Sequence, residues 1–292
     1  MTKRYSYRKS ETLLRNIVVV SVVVFHLCFV ILPIIMAFVG SFHDWNPLNG
    51  TYDFIGMENY KKIVGDQLFW DSVFNTVKFA SFAVGFRVIL GLGIANMLYS
   101  RLIKYKLFYR SIFYIPTVTP LIAVAFIWKI MYNPQIGFIN KIVHSNINWL
   151  HDPKVAMYAV LVMTIWKDFG YAVVLFLAGL YSLPKDCFEA AEIDGANVWK
   201  QFIHITVPLL KPNILFVVVT SIITYLQSYV QIMVMTEGGP GRATYLLTYL
   251  IYDEAFGKYN FGYASAIAFL MFIMIAVLSI LSFKIAKDED RR

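Results

Sequence analysis

Small and acidic residues form a distinct pattern in residues 181–213, between two long apolar runs. The residues suited to specific contacts there are Glu189, Ala190, Ala191, Asp194, Gly195, Ala196, Phe202 and Pro208. The pattern predicts a helix from Lys185 to Ile193 with Ser182 as its cap, and a left-handed turn at Gly195. A second short helix is expected to run to about Thr206, where Pro208 ends it. Such a helix-turn-helix suits a groove on a partner protein; the alternative, an amphipathic helix on lipid headgroups, is disfavoured by its acidic charge.

A second group of polar residues lies inside the fifth apolar run. It comprises Tyr225, Gln227, Ser228, Tyr229 and Gln231. Polar groups beside aromatic faces suit the hydroxyls and pyranose rings of a sugar. The alternative role is hydrogen bonding between helices, which is common for Ser, Thr and Gln in membranes. These residues are therefore candidates for a substrate path.

Charged residues occur within apolar runs, where each costs at least about 2.5–3.5 kcal/mol on insertion scales. Arg87 lies in the second run, Lys129 in the third, and Lys167 and Asp168 in the fourth. We expect Asp168 to pair with Arg87 or Lys167 inside a helical bundle. The pair has two possible roles, a packing contact or part of the substrate path.

The overall amino-acid composition argues against a soluble enzyme. Hydrophobic residues make up 59% of the 292 residues and charged residues 15%, whereas a soluble domain has about 45–50% and about 25%. That composition excludes a soluble enzyme, a disordered chain and a nucleic-acid module, despite the net charge of +8. Two cysteines and five scattered histidines have no metal-ligand spacing. The Gly257-Lys258-Tyr259 sequence does not continue as a phosphate-binding loop.

Six apolar runs are long enough to cross a membrane as helices, which takes about 20 residues. They cover residues 17–39, 77–99, 112–132, 155–180, 214–235 and 264–283. No linker or repeat separates them, so we expect an all-α integral membrane protein with one domain, residues 1–292. Each run is continuous, which predicts six unbroken helices.

Lys and Arg indicate the orientation of these helices. They are concentrated in the N-terminal segment, residues 100–111, residues 181–213 and the C-terminal tail, and are sparser in the other loops. The positive-inside rule therefore predicts that both termini and segment 181–213 are cytoplasmic.

Segment 181–213 resembles the coupling loop of permease subunits of ABC importers. The shared pattern is Glu-Ala-Ala, three residues and Gly-Ala, followed by a later proline at Pro208. The family often has Leu before that proline, where this chain has Val207. Residues 54–60, 137–140 and 236–240 resemble the carbohydrate-uptake branch of the family, so the resemblance covers nearly the whole chain.

The resemblance implies a fold, a set of partners and a location. The fold is a six-helix permease with a cytoplasmic coupling helix-turn-helix, formed by the eight residues singled out above. The partners are a second permease, a cytoplasmic ATPase dimer and an extracytoplasmic solute-binding protein, with membrane lipid around them and no nucleic acid. ATP and Mg²⁺ bind the ATPase, so this chain is neither an enzyme nor a cofactor carrier. The location is the cytoplasmic membrane of a bacterium or archaeon.

The leading function is half of the translocation path of an ATP-driven oligosaccharide importer. If Arg87, Lys129 and Lys167 line that path, an anionic saccharide or glycerol phosphate becomes the expected cargo. An ion-coupled secondary carrier is a remote alternative, because such carriers usually have more spans and membrane carboxylates that titrate.

Overall fold

The protein is described by a computed structural model covering residues 2–100 and 103–289. Three basic residues used to predict the orientation, Arg101, Arg291 and Arg292, lie outside the described residues. The chain folds as two compact units, residues 2–65 with 251–270, and residues 66–250 with 271–289. The expectation of a single domain stays a prediction.

The first unit begins with a long apolar helix. Helix α1 (Thr2–His26) continues through a π-helical turn (Leu27–Ile31) into α2 (Leu32–Gly40). A two-stranded antiparallel hairpin follows, made of β1 (His43–Asn46) and β2 (Thr51–Phe54). Helix α3 (Glu58–Gly65) completes this part of the chain.

The hairpin is an exception to the predicted all-α fold, and turn chemistry explains it. The Asn46 side-chain oxygen accepts hydrogen bonds from the backbone N–H groups of Leu48 and Asn49, which forms a local turn. Gly50 then takes a positive φ of 69°, a backbone conformation that glycine adopts without steric cost. The amide of Asn59 in α3 donates to the Ser41 and His43 carbonyls, which holds the hairpin against α3.

The second unit is built around two long helices, α4 (Gln67–Tyr99) and α8 (Ala156–Ser182). Helices α5 (Lys106–Val118), α6 (Leu121–Met131) and α7 (Phe138–Val143) lie between them in sequence. After α8 come α9 (Lys185–Ile193), α10 (Val198–Gln201), a π-helical turn (Phe202–Thr206), α11 (Val207–Leu209), α12 (Lys211–Leu226) and α13 (Val230–Met235). Helix α14 (Leu247–Tyr252), a further π-helical turn (Asp253–Gly257) and α15 (Phe261–Glu289) complete the described chain, and residues 251–270 of this stretch belong to the first unit.

Small residues allow the helices of the second unit to pack closely. A Cβ on Gly91 of α4 would lie 2.7 Å from Cβ of Ala172 in α8. Buried side chains of both helices form a common core beside it, including Leu92, Ala95, Val173 and Phe176. Close backbone approach through Gly and Ala is the usual way in which membrane helices associate.

The fold confirms a helical membrane protein, and the described residues contain four helices long and apolar enough to span a membrane. They are residues 12–40, Gln67–Tyr99, Ala156–Ser182 and Phe261–Ser282. Two bent helix pairs bring the number to six if each pair counts as one span: Lys106–Val118 with Leu121–Met131, and Val198–Leu209 with Lys211–Leu226.

The predicted continuity of the third and fifth runs is wrong. Helix α5 ends at Val118 and α6 begins at Leu121 after a bend of 96°. Thr119 is extended, with ψ of 138°, because the ring of Pro120 disfavours a helical residue before it. In the fifth run, α12 ends at Leu226, and residues 227–229 separate it from α13.

Gly170 of α8 offers a direct test of the packing between α5 and α8. A Cβ on Gly170 would overlap the backbone carbonyl of Phe113 in α5, whereas a Cβ on Gly93 of α4 would meet nothing within 4 Å. We expect Gly170→Ala to destabilise the protein by about 1–3 kcal/mol, the usual range for overpacking. Gly93→Ala is the matched control and should unfold at or slightly above the wild-type temperature, since Ala favours helix. Thermal unfolding in detergent measures both, and equal midpoints would contradict the packing.

Candidate functional site

Loop 181–213 forms the predicted helix-turn-helix, and its first helix has the predicted bounds. Helix α9 ends in a turn centred on Gly195, whose φ is 74°. The Gly195 N–H donates to the Glu192 carbonyl, and the Ala196 N–H donates to the Ala191 carbonyl at 2.9 Å. These two bonds form a Schellman motif, which satisfies carbonyl groups at the end of α9. Asn197 then caps α10 by accepting a hydrogen bond from the Lys200 N–H at 2.9 Å.

Two details of the loop differ from the sequence prediction. Ser182 does not cap α9, because its hydroxyl donates back to the Gly179 carbonyl within α8. Pro208 does not end the second helix, which continues through it to Leu209. The helix continues through Pro208 because the π-helical turn Phe202–Thr206 directly before it shifts the backbone hydrogen-bond register, which accommodates a residue without an N–H group.

The loop presents an exposed tip on an anchored base. Neither α9 nor α10 has a buried residue, and the apolar side chains of Ile193, Val198 and Trp199 are 87%, 76% and 68% exposed. At the base, Phe202 and Val207 pack against the core of α4 and α8. The eight predicted coupling residues therefore lie between an exposed surface and the helical bundle.

A polar cavity of about 320 Å³ lies in the second unit. Its lining residues are Leu121, Thr164, Asp168, Ile223, Thr224, Tyr225, Gln227, Ser228, Tyr229, Val230 and Gln231. Six of the seven predicted substrate-path residues are among them, and the seventh, Arg87, is not. The sequence reasoning missed Leu121, Thr164 and the remaining residues from α12 and α13. Of these, only Thr224 had a usable signal, because it belongs to the same polar run.

Two interruptions of helical structure meet at this cavity. Leu121 is the first residue of α6, just after the 96° bend, and Gln227, Ser228 and Tyr229 separate α12 from α13. Non-helical backbone at membrane depth is tolerated where it is buried in protein or lines a wet cavity. The cavity therefore explains why non-helical backbone is tolerated at both breaks.

The Thr and Ser side chains of α12 do not form hydrogen bonds to other helices within the described chain. Thr220, Ser221 and Thr224 donate to carbonyl groups of their own helix. The side-chain amides of Gln227 and Gln231 make no hydrogen bond with any described residue. Their hydrogen-bonding groups thus remain available to a molecule in the cavity.

A charged cluster lies beside the cavity. The carboxylate of Asp168 is 3.5 Å from Nζ of Lys167, which also donates to the Thr117 carbonyl. This is one of the two pairings predicted for Asp168. The buried guanidinium of Arg87 lies between two aromatic rings, with Cζ 5.5 Å from the centroid of Tyr171 and 5.7 Å from that of Tyr225.

Two polar atoms of this cluster are buried without a hydrogen-bond partner among the described residues, Nε of Arg87 and the hydroxyl of Tyr225. Unpaired buried polar atoms are costly. Lys129 is separate from the cluster, because its Nζ donates to the Val234 carbonyl and lies 4.0 Å from Glu237. Asp168 is therefore the only charged residue that lines the described cavity.

Comparison of the sequence with known proteins identifies its family. Residues 87–288 match the family described as "Binding-protein-dependent transport system inner membrane component". The trehalose/maltose transport system permease protein MalF of Thermococcus litoralis is 35% identical, over 98% of this chain and 97% of its own. The multiple sugar-binding transport system permease protein MsmF of Streptococcus mutans is 34% identical, over 86% of this chain and 87% of its own.

A solved structure has the same fold. It is a bacterial ABC transporter involved in the import of the acidic polysaccharide alginate, with a TM-score of 0.81, 19% identity, and coverage of 98% of this chain and 99% of that chain. The sequence matches lead to one assignment. The chain belongs to the inner-membrane components of binding-protein-dependent transport systems, the permease subunits of ABC importers.

Proposed function

We propose that this chain is a permease subunit of an ATP-driven sugar importer and that the polar cavity is its part of the sugar path. The convergence of two helix breaks on a cavity lined by hydroxyl, amide, phenol and carboxylate groups carries the proposal. Such groups can both donate to and accept from sugar hydroxyls. Relatives named for sugar transport support the same cargo class.

The cargo of this proposal is a neutral oligosaccharide. An anionic saccharide was the expected cargo only if Arg87, Lys129 and Lys167 lined the path, and none of the three lines the described cavity. The one charged lining residue, Asp168, can accept hydrogen bonds from sugar hydroxyls. Because no cation lines the described cavity, it offers no direct partner for a carboxylate or phosphate, which favours neutral over acidic sugars.

Coupling to ATP is assigned to loop 181–213. A second permease completes the path, a solute-binding protein delivers the sugar, and an ATPase dimer binds ATP and Mg²⁺. The exposed tip of the loop docks into a groove of the ATPase, and the anchored base transmits its movement to α8 and α12. A rigid connection is required because alternating access works through rigid-body displacement of packed helices.

Transport by the reconstituted complex tests this function. The complex of this chain with its co-expressed permease, ATPase and binding protein is placed in vesicles, and uptake of neutral and uronic-acid oligosaccharides of equal length is compared. We expect ATP-dependent uptake of the neutral series. Uptake of the acidic series alone would contradict the cargo, and ion-driven uptake by this chain alone would contradict the whole assignment.

Gln231 provides a test of the cavity itself. Its side chain is only 3% exposed and lines the cavity. Gln231→Leu keeps the volume but removes the amide, so the KM for uptake should rise about three- to ten-fold, the effect of one hydrogen bond. Thr220→Val is the control, because Thr220 bonds its own helix and is not part of the lining. An unchanged KM in Gln231→Leu would remove this residue from the path.

A further inference from the structure

The chain carries a long basic stretch without acidic residues. No Asp or Glu occurs between Asp71 and Asp152, yet this stretch contains Lys78, Arg87, Arg101, Lys104, Lys106, Arg110, Lys129 and Lys141. The positive charge is densest just before and within the first turns of α5. No neighbouring carboxylate in sequence compensates it there, so a negatively charged partner from outside the chain is favoured.

The same segment forms a surface groove in the structure. Residues Ile103, Lys104, Tyr105, Lys106, Leu107, Phe108 and Ser111 line a groove of about 640 Å³. Three of the apolar side chains are strongly exposed, at 74% for Tyr105, 77% for Leu107 and 62% for Phe108. Basic and large apolar side chains side by side are typical of segments that lie at a membrane interface.

Hydrogen bonds and ring contacts around the groove place it at the end of the unit from which loop 181–213 departs. Nζ of Lys106 donates to the Tyr99 carbonyl at 2.9 Å, which links the start of α5 to the end of α4. The Tyr99 ring in turn contacts Tyr181 near the end of α8, with centroids 5.4 Å apart. Tyrosines at the ends of membrane helices mark the level of the headgroups.

Two cations of this segment are not paired within the described chain. Lys104 is exposed and lines the groove, and Arg110 follows the lining residues in α5 without being one of them; neither forms an ion pair with any described carboxylate. Both long side chains can extend along apolar surface while their charged ends reach polar groups at the interface. Segment 103–111 therefore offers two positive charges beside an apolar patch.

We propose that residues 103–111 bind the headgroup of an anionic phospholipid of the surrounding bilayer. Lys104 and Arg110 contact the lipid phosphate, and Tyr105, Leu107 and Phe108 lie among the upper acyl chains. A lipid is favoured over an acidic protein surface because the exposed residues beside the charges are large and apolar. A bilayer can bury these side chains and bind the positive charges at the same time. The bound lipid would thus lie next to the junction of α4, α5 and α8, from which the coupling loop departs.

Native mass spectrometry of the purified transporter complex tests the charge requirement. The complex is exchanged into phosphatidylglycerol or phosphatidylcholine, and the lipids retained are counted. Each charge removed should lower phosphatidylglycerol affinity about five-fold, so the double variant Lys104→Gln/Arg110→Gln should lose most of the retained lipid. Lys141→Gln/Lys154→Gln, at two exposed lysines elsewhere in the chain, is the control and should retain it. Equal retention of both lipids by wild type, or unchanged retention by the Lys104/Arg110 variant, would overturn the proposal.

Photo-crosslinking identifies the occupant of the groove. A benzophenone amino acid replaces Leu107 in the full complex reconstituted in phosphatidylglycerol vesicles, and a second preparation carries it at the exposed Ile136. We expect a phosphatidylglycerol adduct at position 107 that the Lys104→Gln/Arg110→Gln background reduces several-fold, with no such dependence at position 136. An adduct to the ATPase or the second permease at position 107 would overturn the lipid assignment. ATPase activity and the unfolding temperature should stay at wild-type values in the double variant, which excludes misfolding as the cause.

Discussion

Gly195→Val is expected to lower ATP-dependent uptake at least about ten-fold while the chain still inserts and assembles. Gly195 has a φ of 74°, which a β-branched residue adopts only with strain of about 1–3 kcal/mol. Helices α9 and α10 have no buried residues, so local bonds hold the shape of the turn. The strain should therefore break the bond from the Ala196 N–H to the Ala191 carbonyl and change the angle between the two helices.

A matched substitution separates backbone strain from side-chain volume. Nothing lies within 4 Å of a Cβ at Gly195, so volume alone has no cost, and Asn tolerates the left-handed conformation. Gly195→Asn should keep most of the uptake that Gly195→Val loses. Uptake and ATP hydrolysis stimulated by the binding protein are measured on the same vesicles. Wild-type coupling in Gly195→Val would show that the turn does not transmit movement.

Local signals explain why loop 181–213 was predicted well from sequence. The bounds of α9 and the turn at Gly195 depend on residues within a few positions, and the structure confirms both. The prediction that Pro208 ends the second helix is wrong, because the helix passes through a π-helical turn and continues to Leu209. A proline usually disrupts the interior of a helix, and the π-helical turn that accommodates Pro208 has no signal in the sequence.

Hydropathy located the membrane helices but not their breaks. The second and fourth runs became helices that end within about two residues of the predicted C-terminal limits, because a long apolar run in lipid has no alternative to helix. Thr119-Pro120 was a visible signal for the break after α5. The gap after α12 had no such signal, since Gln227, Ser228 and Tyr229 are compatible with a helix. These three residues are not helical at the place where they line the cavity.

The lining of the cavity was predictable only in part, for a related reason. Polar residues within an apolar run stand out, so the candidates from α12 and α13 and Asp168 were found. Leu121 and Thr164 are ordinary residues of other helices that reach the cavity only through the bend after α5 and the packing of α8. Arg87 stood out equally but is not a lining residue, because its guanidinium lies against the rings of Tyr171 and Tyr225; the number of charges in a run does not reveal this.

We expect Asp168→Asn to abolish sugar uptake and to destabilise the protein. The side chains of Lys167 and Asp168 are 11% and 22% exposed, and removal of one partner of a buried pair typically costs about 3–5 kcal/mol. The change also removes the only charged group that lines the described cavity. Asp71→Asn is the control, because Asp71 forms a partly exposed ion pair with Arg242, which is worth about 0–1 kcal/mol.

The double variant Lys167→Gln/Asp168→Asn distinguishes the two roles that remain open for the pair. It restores the net charge of the cluster, so the unfolding temperature should recover most of what Asp168→Asn lost. If Asp168 accepts hydrogen bonds from sugar hydroxyls, uptake by the double variant stays at least about ten-fold below wild type, because hydrogen bonds to a charged group are worth about 1.5–3 kcal/mol. Recovery of both stability and uptake would instead assign the pair to helix packing alone. The contacts to the sugar would then be made by the uncharged lining residues of α12 and α13 and of the gap between them.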